Sequence, residues 1–200
     1  MREQILRHLE SDWPQTLKDW DKLERQIQFM RSESNEQRID DHFPEPASAI
    51  KLARQFDIPS ILPAAFYHLS RLSILDDWDR THADPFIPIR NPTKRTAQWG
   101  LLSAEDFRCL IFGKAVFPEG LRRIMESHDD SPIGLTGKCN PEGLWNDICD
   151  RCLQSADPLA LLQVESNKSH HCTACTKTLR SKFLKTRREV WDKLGTFFHL

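Results

Sequence analysis

Tyrosine occurs once in 200 residues and glycine only seven times, and valine is sparse, so the chain is poor in the residues that build pleated sheets and tight hairpins. It has no run of about eighteen apolar residues, which excludes a spanning helix. Charge of one sign is also missing: the net value of −1 gives no overall field toward nucleic acid or an anionic membrane. The opening MREQILRHLESDW is interrupted by charges and lacks an apolar block, so it does not read as a signal peptide. No glycine-rich phosphate loop and no G-x-S-x-G elbow occurs. His42, His68, His82 and His128 are scattered, and no spacing joins them to a nucleophile. The paired acids Asp40-Asp41, Asp76-Asp77 and Asp129-Asp130 fall near element ends, where helix starts and turns attract acids. The expectation is a non-enzymatic intracellular protein, cytoplasmic or nuclear, with no membrane partner.

Leu, Arg, Lys, Glu and Asp are abundant, and they favour helix. The first strong start signal is Ser11-Asp12-Trp13-Pro14, followed by Leu17, Trp20, Leu23, Ile27 and Met30 at helical spacing. Residues 31–46 read as a polar loop closed by Pro44 and Pro46. From Ala47 the pattern predicts a helical pair, broken at Asp57-Ile58-Pro59, with Ser60 capping the second member. Residues 79–97 hold Pro85, Pro88 and Pro92 and no sustained period, so they read as a linker, with Trp78 and Trp99 placed to anchor it across two subdomains. Ser103 to Asp106 resembles a capping box, and Phe107, Leu110, Ile111 and Val116 are expected to face a core with Cys109 beside them. A short helix over Glu119–His128, a turn-rich stretch over Asp129–Asn140, and helices opening at Pro141 and at Asp157-Pro158 follow. The last helix is the longest. The fold class predicted is all-α, an irregular multi-helix bundle of two helical subdomains, 1–78 and 98–200, joined by the linker 79–97.

Two Cys-x-x-Cys pairs, Cys149/Cys152 and Cys172/Cys175, are separated by nineteen residues. Four thiolates at this spacing suit a closed, structural zinc site, with Cys139, His170 and His171 as further ligands of suitable type. Against zinc, both pairs lie on apolar helical stripes, where cysteine behaves as a small buried hydrophobe, and neither contains the glycine or proline of a zinc knuckle. Structural zinc, buried thiols, and a redox or disulfide role all stand as readings. The final helix is basic: residues 168–193 carry +6, leaving −7 for the rest. Its cations, among them Lys182, Lys185, Arg187 and Arg188, are candidates for nucleic acid or an acidic partner; the plainer reading is a solvated face.

The block ASAIKLARQFDIPSILPAAFYHLSRL at residues 47–72 resembles the region that follows the BTB/POZ domain in a large group of fungal proteins, especially of mushroom-forming species. HLESDWPQTLKDWDKLE at 8–24, GLLSAEDFRCLIFGKAVF at 100–117, CTAC at 172–175 and RREVWDKLGTFFHL at 187–200 extend the resemblance over most of the chain. In that group a BTB/POZ domain comes first, whereas Met1 here opens on the helical region, as a fragment, a truncated gene model or a paralogue would. The resemblance implies an α-helical scaffold that binds a protein partner, with the second cysteine pair at the start of its terminal helix. The alternative is a zinc-stabilised regulatory or nucleic-acid-binding factor using the basic helix.

Overall fold

The computed structural model describes residues 2–33, 39–82, 94–128, 141–169 and 172–200. Among these residues the fold is all-α: ten α-helices and three short 3₁₀ turns, with a single isolated bridge, Asp77 to Ala97, in place of any strand. The helices are α1 (Arg2–Asp12), α2 (Leu17–Glu33), α3 (Pro46–Phe56), α4 (Leu62–Ser70), α5 (Trp78–His82), α6 (Ala104–Ser127), α7 (Pro141–Gln154), α8 (Pro158–Ser166), α9 (Thr173–Asp192) and α10 (Leu194–Phe197). They form two compact units, residues 1–113 with 194–200, and residues 114–193.

This division corrects the expected boundary at 79–97. Both described flanks of that segment are bound into the first unit. The amide of Trp78 donates to the Ala97 carbonyl at 3.0 Å, and the Ala97 amide donates to Asp76 at 3.0 Å. The Trp99 indole N–H donates to the Asp76 carbonyl at 3.1 Å, so both tryptophans hold the loop ends within one unit rather than between two. Pro85, Pro88 and Pro92 lie outside the described residues, as does the stretch from Asp129 to Asn140. The chain instead leaves the first unit midway along α6.

In the first unit, α4 is the central element. Leu62, Ala64, Ala65, Phe66, Tyr67, His68 and Leu69 are all buried, and α3 and α10 both pack against the helix. Trp13 and Trp20 meet His68 edge-on, with ring centroids 6.0 and 6.1 Å away. The pair of helices predicted around Asp57-Ile58-Pro59 is present, and Asp57 ends α3 in the left-handed conformation at φ 55°. Ser60 is not the cap of α4: its hydroxyl donates to Glu10, and a 3₁₀ turn over Pro59–Ile61 leads into the helix instead. At the amino end, α1 precedes the expected start. Thr16 caps α2, accepting from the Asp19 amide at 3.2 Å, because Pro14 disfavours helix at the residue before it. The expected loop 31–46 is shorter than predicted, since α2 continues to Glu33 and Ile39–Asp41 forms a 3₁₀ turn.

The Ser103 box is present as read: Ser103 Oγ accepts from the Asp106 amide, and Asp106 accepts from the Ser103 amide at 3.0 Å. The buried face of α6 in this unit is Cys109, Leu110 and Gly113; Ile111 is 67% exposed, contrary to expectation. The predicted helix from Glu119 is the continuation of α6, with Pro118 inside it. Gly113 is required by packing. A Cβ there would lie 2.0 Å from Cδ1 of the fully buried Phe198 ring. Gly113→Ala should therefore lower stability by about 1–3 kcal/mol, despite an intrinsic helical gain of about 1 kcal/mol. Urea unfolding measures this, and Phe198→Leu in the same background should restore part of the loss.

Burial is the main cause holding the His68 imidazole well below 6.5, followed by Arg71, Arg95 and Arg31. His68 is neutral in the fold, and its Nδ1 accepts from Arg71 at 2.8 Å. In the unfolded chain it protonates near 6.5, so below that pH the unfolded state binds the extra proton. Its contribution is therefore present above about pH 6.5 and lost as pH falls through that value. The urea midpoint should drop between about pH 7.5 and about pH 5.5. His68→Gln should reduce that drop without abolishing it, because burial also lowers His128.

Candidate functional site

The second unit is built by α7, α8, α9 and the latter part of α6. Trp145 and Ile148 on α7 are buried, and the Trp145 ring stacks on Phe183 of α9 at 5.5 Å. Asp157 caps α8, accepting from the Ala160 amide at 3.1 Å. Glu165, 3% exposed, accepts from Arg151 at 2.7 Å and from Lys168 at 2.6 Å. This packing leaves α9 with one face in the core and one face outward.

The inward face takes up two of the cations proposed as binding groups. Lys182 is 5% exposed, and its ammonium lies 5.1 Å from the centre of the Trp145 ring. Arg187 is 3% exposed; its Nε donates to the Leu159 carbonyl at 2.9 Å, and Nη1 donates to the Gln163 side chain. Both therefore lock α9 to its neighbours, a correction to their reading as surface contacts. The outward face carries Lys177, Arg180, Lys185 and Arg188. At 100° per residue these fall within an arc of about 140°. Leu184, 41% exposed, sits among them. Among the described residues none of the four is engaged in an ion pair. The cations of α6 differ: Arg122 and Arg123 hydrogen-bond Glu119 and hold its carboxyl down at about 2. The spacing of the four outward cations was legible in the sequence; what hid it was their mixture with Lys182 and Arg187 in one basic count.

The two cysteine pairs are not gathered into one ligand set among the described residues. Among the described residues no group of three or more His, Cys, Asp or Glu side chains is placed to hold a metal ion. Each pair serves its own helix. Cys152 is fully buried on α7, and burial pushes its thiol up to about 12. Cys149 is half-buried beside it, at a cavity of about 230 Å³ that also touches Arg122, Met125 and Trp145. Cys172 caps α9: its backbone is extended and its Sγ accepts from the Cys175 amide at 3.4 Å. Cys175 is 3% exposed. Cys139, His170 and His171 lie outside the described residues. The capping role of Cys172 escaped the sequence reading because serine, threonine, aspartate and asparagine lead at that position, and cysteine does not signal it.

The chain matches no family model, no curated protein and no solved structure. No helix among the described residues is long and apolar enough to cross a membrane.

The division of α9 has a measurable consequence. Arg187→Ala should destabilise the protein by about 2–3 kcal/mol, because the Leu159 carbonyl loses a charged donor in a buried setting. Arg188→Ala, one residue on, should change stability by no more than about 0.5 kcal/mol. Chemical denaturation of the two variants side by side checks the assignment.

Proposed function

We propose that the chain is a non-enzymatic helical interaction module whose docking face is the outward side of α9 and whose partner is an acidic protein segment. The observation that carries this reading is the outward grouping of Lys177, Arg180, Lys185 and Arg188 around Leu184, none of the four in an ion pair among the described residues. A solvated face needs no exposed leucine at its centre. A segment with carboxylates at helical spacing and one apolar anchor would meet both features, as charge complementarity at a rim and burial at the middle require. The resemblance of residues 47–72 and the other blocks to the helical region following fungal BTB/POZ domains supports a scaffold role and a protein partner. Nucleic acid is the competing occupant of the same cations, but Leu184 offers nothing to a phosphate backbone, and an aromatic stacking platform is absent from the outward positions named.

The test uses the full chain and a fluorescent amphipathic peptide bearing glutamates at three- and four-residue spacing around leucine. Duplex and single-stranded DNA of similar charge serve as comparators at equal ionic strength. The peptide should bind better than either nucleic acid, and its affinity should fall with salt. Replacing Lys177, Arg180, Lys185 and Arg188 together by Glu should weaken it by about tenfold or more. Leu184→Ser should weaken it at unchanged salt dependence. Stronger binding to DNA, or peptide binding untouched by the four replacements, would overturn the reading. Lys182 and Arg187 are kept native, because changing them tests folding rather than docking.

A further inference from the structure

The two Cys-x-x-Cys pairs have the same spacing and opposite surroundings. Cys149 and Cys152 lie in the second half of α7, with Cys152 fully buried. Cys172 and Cys175 straddle the start of a 20-residue helix. Cys172 stands just before it with φ −142° and ψ 160°, and its sulfur accepts the Cys175 amide N–H at 3.4 Å. Cys172 is half-buried, whereas Cys175, one turn on, is 3% exposed. Cys172 is thus the more exposed residue of the pair.

We propose that Cys172 and Cys175 form a reactive dithiol, with Cys172 attacking and Cys175 resolving, that closes to an intramolecular disulfide by exchange with a low-molecular-weight disulfide such as oxidised glutathione. The reach is suitable. Residues three apart in a helical turn have Cα atoms roughly 5 Å apart, inside the 4.4–6.8 Å that a disulfide spans. The Cys172 sulfur already lies 3.4 Å from the nitrogen of Cys175, whose own sulfur is three bonds from that nitrogen. Negative charge on the Cys172 sulfur during attack meets that amide N–H and the positive end of a long helix. Cys149, by contrast, stands eight residues past the start of its own helix.

The exchange balances. The Cys172 thiolate attacks one sulfur of the oxidised glutathione; a protein–glutathione bond forms, the glutathione S–S bond breaks, and one glutathione thiolate leaves. Cys175, deprotonated in turn, attacks the Cys172 sulfur; the second glutathione thiolate leaves and the protein disulfide forms. Two protein thiols are oxidised, one glutathione disulfide is reduced to two thiols, and the two cysteine protons end on them. The event is stoichiometric and independent of the docking reading.

The experiment treats reduced full-length protein with oxidised glutathione and follows intact mass and mapped peptides. The native chain should lose two hydrogens and yield a Cys172–Cys175 linked peptide. Cys175→Ser should instead accumulate one glutathione on Cys172, at a rate about tenfold above that at Cys149. Cys172→Ser should show neither product while staying folded, because serine is a strong cap at that position; that variant separates the capping role from the redox role. Separate glutathione adducts on Cys172 and Cys175 without closure, pairing of Cys172 with another cysteine, equal rates at Cys149 and Cys172, or no reaction would each overturn the proposal.

Discussion

The buried ion pair between Asp40 and Arg95 is the constraint on which the first unit depends. The two side chains are 7% and 3% exposed and meet at 3.2 Å. Asp40 also accepts the Thr96 amide at 2.9 Å and its hydroxyl, while Arg95 donates to the Pro44 carbonyl at 2.7 Å and lies over the Phe43 ring. Five residues on, Glu45 caps α3 through the amides of Ala47 and Ser48 and accepts the Gln98 amide as well. Two carboxylates near the start of α3 thus bind a chain segment that returns more than fifty positions later. The pair is expensive: burial dominates at both ends, raising Asp40 and lowering Arg95 from their ordinary values. Such pairs add little net stability, yet losing one partner strands a buried charge. Its service is to fix where the segment 94–98 lies, and hence where α6 begins.

The same division of labour between inward and outward charge runs through the second unit. Glu165 is buried and held by Arg151 and Lys168, and Arg187 is buried and held by α8, so their charges are used up in holding helices together. Lys182 reaches the face of Trp145, where an ammonium gains from the ring quadrupole while its aliphatic stem packs against the core. Once these are set aside, the basic character of the terminal helix shrinks to one stripe. A net charge of +6 over 26 residues therefore overstates what a partner meets and blurs its direction. The stripe is what a partner would meet, because only cations at the surface can exchange water for a ligand.

The all-α class and most helix positions were legible because apolar residues at three- and four-residue spacing set them locally: Ala49, Ile50 and Ala53 on α3 and Trp145, Ile148 and Cys152 on α7 are buried as their spacing requires. The capping box at Ser103 and the cap at Asp157 were legible for the same reason, since a cap involves residues three positions apart. The unit boundary was not. Whether the segment before Trp99 separates two units or returns to one depends on Asp40 and Glu45, whose partners lie more than fifty residues away and leave no local pattern. Ile111 failed for a related reason. Helical periodicity gives the spacing of a stripe but not its centre, and the buried seam of α6 is centred on Gly113, where the apolar surface belongs to Phe198 rather than to the helix itself.

The cysteine pairs mark the same limit in chemical terms. A Cys-x-x-Cys spacing states only that two sulfurs can stand on neighbouring turns of chain; what they do follows from where the helix begins. In α7 the helix begins eight residues before Cys149, so no free backbone N–H is left for either sulfur, and burial leaves Cys152 a protonated core side chain. In α9 the helix begins at the first cysteine, so one of the orphan N–H groups of that end falls to sulfur. Thiolate chemistry needs compensation of charge and access from water, and Cys172 has an amide donor and partial exposure together. Helix boundaries, set by capping and by packing on α8, thereby divide one motif into a core element and a reactive one.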